Sequence, residues 1–305
     1  MCKKIIVLPL LLSLAACHSH GGSDRSKTYH IRFNPPVGST YHYELTNETS
    51  LTVKGGEKDA DLHNVSDMAV NYRIGKDSDE FVLEMSYDKI HINGRNGDVV
   101  REVDAAGAPR ASDPASQLVA AMKTDTIYAR VHPADLTVAF SGGLEVVGPM
   151  VERNYAEADK EQAREYWQQW VEQGIIWKNL DPLTWIFPVP ALPVGGRWTT
   201  SSTNREDINF KIENSFQLES VHAGIVTIRL EGRVSNDSAG TWLMGNRVRC
   251  DLTGKEEGVC FVDIATGMPV AMEFSIDVEG NVKTGDRPAR IKYGMTIKMK
   301  GGKVN

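Results

Sequence analysis

The sequence predicts a mainly β protein, in which antiparallel meander strands form one or two sheets and a helical insert lies near the middle of the chain. Apolar and polar residues alternate over many short segments, and Gly, Asn or Asp turns separate those segments. One central stretch is instead rich in Glu, Gln and Ala, which are residues found in helices. A period of two is typical of a strand that buries one face only. We therefore expect each sheet to have one buried and one solvent-exposed face.

The chain begins with a segment that has the features of an export signal. Lys3 and Lys4 precede an apolar run over Ile5–Leu12, and Leu14-Ala15-Ala16-Cys17 follows. The run is shorter than the roughly 20 residues of a membrane-spanning helix, so residues 1–16 are predicted to be a signal peptide. The Leu-Ala-Ala-Cys ending resembles the lipobox of bacterial lipoproteins, which implies cleavage before Cys17 and acylation of that cysteine. An ordinary secretory signal with an incidental cysteine is the alternative.

Residues 17–28 form the next segment, which is polar, lacks aromatic residues and contains glycine and serine. This composition predicts a flexible tether between the acylated cysteine and the folded protein. His18 and His20 are metal-ligating residue types, but no acidic cluster lies near them in the sequence. We interpret them as part of the spacer.

The first β half is predicted over residues 29–148. Its expected strands are Tyr41–Val53, Asp67–Ile74, Phe81–Tyr87, Ile90–Ile92, Ile127–Val131 and Leu136–Phe140. The last two flank His132–Asp135, a short turn sequence that predicts a hairpin. A helix is expected over Pro114–Met122, because Pro114 suits a first helical turn and Asp113 suits the position before it.

A tryptophan-rich helical insert is predicted over residues 149–190. Its helix is expected over Met150–Gln173, and Gly174 is well placed to end it. Four of the six tryptophans of the chain lie in this insert, and a phenylalanine follows them: Trp167, Trp170, Trp177, Trp185 and Phe187. These five aromatic residues either form ordinary core, where the insert plugs one end of a sheet, or line an apolar ligand site under a lid. The second interpretation makes them the candidate ligand-binding residues.

The second β half is predicted over residues 191–305. Its expected strands include Ile208–Leu218, Ile225–Leu230, Phe261–Ile264, Val270–Val278 and Tyr293–Met299. Pro193-Val194-Gly195 precedes a strand that begins near Trp198, just as Pro36-Val37-Gly38 precedes one that begins near Tyr41. Two similar meanders in tandem predict either one wide sheet built by duplication, as in an open half-barrel, or two packed sheets.

The cysteines suit an exported protein. Cys2 lies in the signal and Cys17 carries the predicted lipid, which leaves Cys250 and Cys260. Residues 251–259 are polar and contain glycine, so they predict a hairpin centred on Lys255 with the two cysteines opposed. Opposed Cβ atoms can come close enough for a disulfide, which we predict here. A reactive or metal-binding pair is the alternative, although this spacing fits neither a Cys-x-x-Cys motif nor the usual zinc sites.

The charge of the chain restricts its partners. There are 34 Lys and Arg against 40 Asp and Glu, and loss of Lys3 and Lys4 leaves 32 basic residues and a formal charge of −8. An acidic protein without a basic stripe is a poor candidate for nucleic acid or for electrostatic adhesion to anionic lipid. We therefore expect membrane contact through the N-terminal lipid alone.

Motifs for catalysis are missing from the sequence. There is no Gly-x-Ser-x-Gly, no His-Glu-x-x-His and no P-loop, and the eight histidines are dispersed. Ser141-Gly142-Gly143 has a superficial likeness to a nucleophile turn, but we interpret it as a hairpin tip. The sequence predicts neither an enzyme nor a cofactor or metal site.

The lipobox, the two Pro-Val-Gly turns and the central insert together resemble an uncharacterised lipoprotein family common in Bacteroidota. More distantly, a broad antiparallel sheet with helices across one face is similar to the half-barrel of the lipoprotein-localisation factors. That similarity implies a lipophilic ligand, although no residue-level motif is shared. We therefore expect a lipid-anchored protein of the outer membrane, on its periplasmic or cell-surface side, that binds a lipophilic ligand without catalysis. The alternative is a structural lipoprotein that docks onto an envelope protein complex.

Overall fold

A computed structural model describes most of the chain after the predicted tether. It covers residues 27–55, 59–110, 112–134, 136–177, 179, 180, 183, 186–188, 190–205, 209–236, 241–243, 246–284 and 287–304. The predicted signal peptide, Cys17 and Trp185 lie outside these residues.

Long strands dominate the structure, as the alternating pattern predicted. The strands are β1 (Thr28–Tyr29), β2 (Thr40–Lys54), β3 (Ala60–Asp77), β4 (Glu80–Asn96), β5 (Val99–Asp104), β6 (Ile127–Val131), β7 (Val138–Ser141), β8 (Leu192–Pro193), β9 (Arg197–Arg205), β10 (Asn209–His222), β11 (Ile225–Asn236), β12 (Thr241–Leu243), β13 (Asn246–Asp263), β14 (Pro269–Thr284) and β15 (Arg287–Val304). Along β2, buried side chains alternate with more exposed ones, which is the signature of a sheet with one covered face. The predicted fold class, mainly β with a central helical insert, is confirmed.

The strands form one wide antiparallel sheet in the order β7-β6-β4-β3-β2-β15-β14-β13-β11-β10-β9. The short strands β5 and β12 pair with β4 and β13, and β1 pairs separately with β8. Because β2 pairs with β15 along its whole length, the two halves belong to one sheet, and the alternative of two packed sheets is wrong. Within the part of the chain that the structure describes, β7 and β9 each pair on one side only, so the sheet is open.

The two Pro-Val-Gly turns have the same backbone geometry. Gly38 and Gly195 have φ angles of 84° and 88°, in the left-handed region that favours glycine. The Gly38 amide donates to the Ile74 carbonyl and the Gly195 amide donates to the Leu218 carbonyl, both at 2.7 Å. In each turn the strand residue donates back to the residue after the glycine, at 2.9 Å. The order β2-β3-β4-β6-β7 also matches β9-β10-β11-β13-β14 in the sheet, which supports a tandem duplication.

The second half of the sheet curls strongly. The rings of Phe210 on β10 and Tyr293 on β15 lie 5.7 Å apart, although β11, β13 and β14 separate these strands in the sheet. We call the concave, buried side of the sheet the inner face. Glycine permits the curvature, because a methyl group on Gly258 of β13 would collide with the ring of Phe274 on β14.

The helices only partly follow the prediction. The predicted first helix is α1 (Pro114–Thr124), whose cap position is Asp113 as expected. The predicted single helix over Met150–Gln173 is wrong: it is divided into α2 (Val147–Asn154) and α3 (Lys160–Val171), with a 3₁₀ turn at Glu157–Asp159 between them. Gly174 does not end α3, because the chain continues through it as a π-helical turn over Glu172–Trp177. The break after α2 lets Tyr155 accept a hydrogen bond from Trp167 Nε1 at 2.8 Å.

The inner face carries two separate apolar clusters. The larger cluster joins α1, α2, α3 and the π-helical turn to strands of both halves, at the end of the sheet where β2 begins. The smaller cluster lies towards the opposite end of the second half and consists of Leu51, Val53, Phe210, Ile212, Val234, Leu252, Ile276, Val278, Val282, Ala289, Ile291 and Tyr293. Both clusters bury apolar side chains on the inner face, and the band of this face between them belongs to neither cluster.

The predicted hairpin between Cys250 and Cys260 is wrong, and so is the disulfide. Both cysteines lie in β13, which runs unbroken from Asn246 to Asp263. Cys250 pairs with Val282, whereas Cys260 pairs with Ile228 and Met272. Ten residues of extended strand span roughly 33 Å, far beyond the 4–7 Å between Cα atoms that a disulfide allows.

Candidate ligand-binding site

A layer of buried polar side chains separates the two apolar clusters on the inner face. Asn214 of β10, Glu256 of β13 and Asn47 of β2 are only 1%, 4% and 3% exposed. Of the buried side chains among the described residues, Glu256 is the one carboxylate. Polar groups are seldom buried without partners. This polar layer is therefore the part of the inner face most in need of a functional explanation.

Strand register and a glycine bring Asn214 and Glu256 together. Asn214 pairs with Gly232 of β11, and Gly232 pairs in turn with Glu256, so the three residues form one row across the sheet. A Cβ atom on Gly232 would lie 3.3 Å from Glu256 Oε2 and would collide with Asn214 Oδ1. Both side chains thus lean over the glycine, which has no side chain to keep them apart.

Asn47 lies in the neighbouring inward-facing row. The register carries that row from Asn47 through Ile297 and Phe274 to Gly258, two residues from Glu256 on the same face of β13. In the row of Glu256 itself, the pairing runs through Ile276 and Met295 to Thr49 of β2. The polar layer therefore extends across the curl and is bordered by apolar side chains.

Several polar atoms of this layer have no hydrogen-bond partner. Among the described residues these are both side-chain polar atoms of Asn47, both of Asn214, and Oε2 of Glu256. Each buried polar atom left unpaired costs about 1–3 kcal/mol. Such groups are normally satisfied by water, an ion or a ligand. The layer has the properties of a site that another molecule completes.

The environment of Glu256 changes its acidity. Burial raises the pKa of Glu256 to about 7 from its ordinary 4.5, and the nearby Asn214 amide opposes part of that rise. Oε2 of Glu256 and both polar side-chain atoms of Asn214 nevertheless lack a hydrogen bond of normal geometry. Glu256 is therefore close to half ionised at neutral pH and can act as a charged acceptor or a neutral donor.

The outer face behind this layer is charged and shallow. A depression of about 1040 Å³ is lined by residues 199–201, 213–215, 231–233 and 255–257, a set that includes Asn214, Gly232 and Glu256 as well as their outward-facing neighbours. Alternation places Glu213, Glu231, Arg233, Lys255 and Glu257 on the side opposite Glu256, where they are exposed. Their charges are partly paired, since Lys255 forms an ion pair with Glu257. These exposed charges differ from the buried side chains of Asn214 and Glu256 in the same strands, whose polar atoms are unpaired.

The predicted aromatic site is only partly assembled. Trp167 is 4% exposed, and its ring lies 5.4 Å from that of Trp170. Trp177 packs instead against Phe140 of β7 at 5.7 Å, and Phe187 packs near Phe33 at 6.4 Å. These residues belong to the larger apolar cluster or pack against it. A ligand role for them, including Trp185, stays a prediction.

Another buried polar residue, Asn179, connects the insert to the sheet. The hydroxyl of Tyr72 on β3 donates to the Asn179 carbonyl at 2.8 Å, and Asn179 Nδ2 donates to the Ile175 carbonyl at 2.6 Å. Burial raises the pKa of the Tyr72 hydroxyl well above its ordinary value, so it is a permanent donor here. These bonds serve the packing of the insert.

A period of two around Glu256 is present in the sequence, although the segment is predicted as a hairpin. Leu252, Gly254, Glu256, Gly258 and Cys260 alternate with outward residues at a strict period of two. Two of those five inward positions are glycine and one is charged, so the segment lacks the apolar repeat of a typical half-buried strand. Glu256 can be identified as a buried carboxylate only after residues 252–260 are recognised as part of a strand.

No cluster of three or more His, Cys, Asp or Glu side chains suited to a metal occurs among the described residues. In the same part of the chain, no helix has both the length and the apolar composition that crossing a membrane requires. Neither observation explains the polar layer.

Comparison with known proteins identifies a family for this chain but no activity. The model of a family of unknown function, DUF6263, matches residues 78–269, from the turn before β4 to the start of β14. The chain belongs to the DUF6263 family. The matched region of this DUF6263 protein contains Asn214, Gly232 and Glu256, whereas Asn47 lies outside it. No curated protein shows a significant match.

Solved structures resemble this DUF6263 protein only distantly. A structure describing lipid–protein interactions in lipovitellin has 9% identity and a TM-score of 0.45, and the match covers 88% of this chain and 25% of that one. The chain thus spans a quarter of the lipovitellin chain. An outer membrane channel from Pseudomonas putida F1 has 8% identity and a TM-score of 0.23, covering 89% of this chain and 97% of that one. At these TM-scores the likeness does not assign a function.

Proposed function

We propose that this DUF6263 protein is a non-enzymatic binding module of the cell envelope, which holds an amphipathic ligand on the inner face of its curled sheet. The observation that carries this proposal is the unpartnered, buried polar layer of Asn47, Asn214 and Glu256. A ligand head that hydrogen-bonds these groups would remove their desolvation cost. An apolar chain of the ligand would lie against the neighbouring apolar clusters.

The open edges of the sheet give such a ligand a way in. Because β9 is an edge strand, the curl of the second half can widen without breaking hydrogen bonds between strands. Widening would separate Phe210 from Tyr293 and expose the smaller apolar cluster. Apolar area exposed to water costs about 25 cal/mol per Å², and an apolar ligand that covers the same area offsets that cost. Binding and opening are thus expected to be coupled.

The envelope location rests on the sequence at the N-terminus. The lipobox-like Leu-Ala-Ala-Cys17 supports a lipid anchor, and the described chain begins at β1, which pairs with β8 beside the start of β9. The anchor would therefore hold the end of the sheet where β2 and β9 begin nearest the membrane. The proposal includes no catalytic step and no partner nucleic acid.

The test is to identify what the protein carries. The full chain is purified from the cells that make it and extracted with organic solvent, and the extract is analysed by mass spectrometry. A stoichiometric amphipathic molecule is expected with the wild type and absent from Gly232→Val, whose side chain would fill the space between Asn214 and Glu256. Gly302→Val of β15 is the matched control, because nothing lies within 4 Å of a Cβ atom there.

Circular dichroism checks that each variant folds, and Gly232→Ala replaces Gly232→Val if the larger side chain prevents folding. Wild-type protein without any stoichiometric molecule would contradict the proposal. A folded Gly232 variant that retains the molecule as well as the Gly302 control does would contradict the placement of the site. In the first case the docking alternative becomes the better account.

A further inference from the structure

We infer that the head group of the ligand is a primary ammonium, bound by the carboxylate of Glu256 and the side-chain carbonyl of Asn214. This inference rests on the proposed function and adds the chemical class of the ligand. It depends on three properties of the polar layer: its hydrogen-bond acceptors converge, Glu256 has no cationic partner among the described residues, and apolar side chains border the layer.

The first property is the convergence of acceptors. Glu256 Oε2 and Asn214 Oδ1 both lie close to the position that a Cβ atom of Gly232 would take, and neither has a hydrogen-bond partner among the described residues. An ammonium group has three donors and no acceptor. Two convergent, unpaired acceptor oxygens are therefore matched by an ammonium better than by a hydroxyl, which has one donor. Asn47 Oδ1, in the neighbouring row, is a further unpaired acceptor.

The second property is the lack of a cation for Glu256 within the described residues. The charged neighbours in its own strand, Lys255 and Glu257, point to the outer face and pair with each other. The residues that pair with Glu256 across the sheet are Gly232 and Ile276, and neither is charged. A buried carboxylate without a counterion is strongly disfavoured. A cationic ligand supplies the missing charge, whereas an anionic head would be repelled.

The third property is the apolar border, which favours a primary ammonium with an attached alkyl chain over a free hydrated cation. Phe216 and Ile212 flank Asn214 on the inner face of β10, and both are buried. An alkyl chain beside the head group would contact these side chains. A fully hydrated inorganic cation would lose its water shell there without such compensation.

The test compares three probes with the same twelve-carbon chain and different heads: dodecylamine, dodecanol and dodecanoic acid. Their dissociation constants with the full chain are measured at pH 8 and below micelle-forming concentrations, by displacement of a fluorescent apolar probe. We expect dodecylammonium to bind at least tenfold more tightly than dodecanol, and dodecanoate to bind most weakly. In Glu256→Gln, the affinity for dodecylammonium should fall about tenfold and that for dodecanol should stay the same.

The matched control is Glu257→Gln, which changes the neighbouring outward carboxylate and should leave all three affinities unchanged. Equal affinities for the three heads in the wild type, or tightest binding of the alcohol or the carboxylate, would overturn the ammonium inference and leave the proposed function standing. An unchanged preference in folded Glu256→Gln would overturn it too. Failure of all three probes to bind would instead refute the proposed function. If Glu256→Gln fails to fold, Asn214→Ala is measured and should show the same selective loss.

Discussion

Replacing Glu256 by glutamine should make this DUF6263 protein more stable at alkaline pH. The folded protein buries the carboxyl group, which raises its pKa from 4.5 to about 7. The protonated form is therefore favoured in the folded state, so the stability that Glu256 contributes is present at acidic pH. It is lost as the pH rises from about 4.5 through about 7, because the unfolded chain ionises first.

The size of this effect follows from the shift. A tenfold change in an ionisation constant is worth about 1.4 kcal/mol, so a fully ionised Glu256 destabilises the fold by about 3 kcal/mol above pH 8. At pH 5 the unfolded chain is only partly ionised, and the same calculation gives about 1 kcal/mol or less. The carboxyl is 4% exposed, so screening by solvent reduces these values little. Glutamine has nearly the same shape and no charge, so Glu256→Gln should remove this pH dependence.

The assay is urea unfolding of the wild type, Glu256→Gln and Glu257→Gln, each freed of ligand by refolding from denaturant, at pH 5 and pH 8.5 and followed by tryptophan fluorescence. Glu256→Gln should exceed the wild type by about 3 kcal/mol at pH 8.5 and by less than about 1 kcal/mol at pH 5. Glu257 is exposed, so Glu257→Gln should stay within about 0.5 kcal/mol of the wild type at both. Equal stability of the wild type and Glu256→Gln at pH 8.5 would refute the burial of an uncompensated carboxylate at this position.

Three further predictions address the fold and the anchor. Gly232→Ala should lower the free energy of unfolding by about 1–3 kcal/mol, because the methyl group collides with Asn214. The control Gly302→Ala should change it by less than about 0.5 kcal/mol. Equal effects of the two substitutions in denaturant titrations would argue against crowding at Gly232. Non-reducing peptide mapping should recover Cys250 and Cys260 in separate peptides, and a peptide that joins them would disprove the continuous strand β13. Burial raises the pKa of the Cys260 thiol, so an alkylating reagent should modify this thiol only after the protein is unfolded. Cys17→Ser should leave the protein unprocessed or soluble, so its normal recovery in the membrane fraction would rule out the lipid anchor.

Strand pattern was the most predictable feature of this protein. Alternation over Tyr41–Val53 and Tyr293–Met299 gave strands that the structure extends to β2 and β15. The turn predicted at His132–Asp135 could be identified in the same way, since the paired strands β6 and β7 lie on either side of it. Local sequence decides these elements, because a period of two with turn residues at the ends fits a half-buried strand and little else.

The errors arose where tertiary packing overrides local pattern. The helix over Met150–Gln173 has no Pro or internal Gly to predict its break, and the break instead lets Tyr155 meet Trp167. The segment between Cys250 and Cys260 is predicted as a turn because it is polar and contains glycine. In the structure these glycines are needed where the curled strands approach one another, so the segment is the middle of an 18-residue strand.

The sequence by itself determined that this chain would be a mainly antiparallel β protein with a central helical insert, and it predicts two related halves and an export signal followed by a lipobox-like cysteine. Those properties depend on residues close together in the chain, where periodicity, turn residues and short motifs act directly. Only the tertiary structure decided that the halves join through β2 and β15 into one open, curled sheet. It also placed Asn214 and Glu256 over Gly232, because register across three strands sets which side chains share a row, and residues far apart in sequence carry no local sign of it.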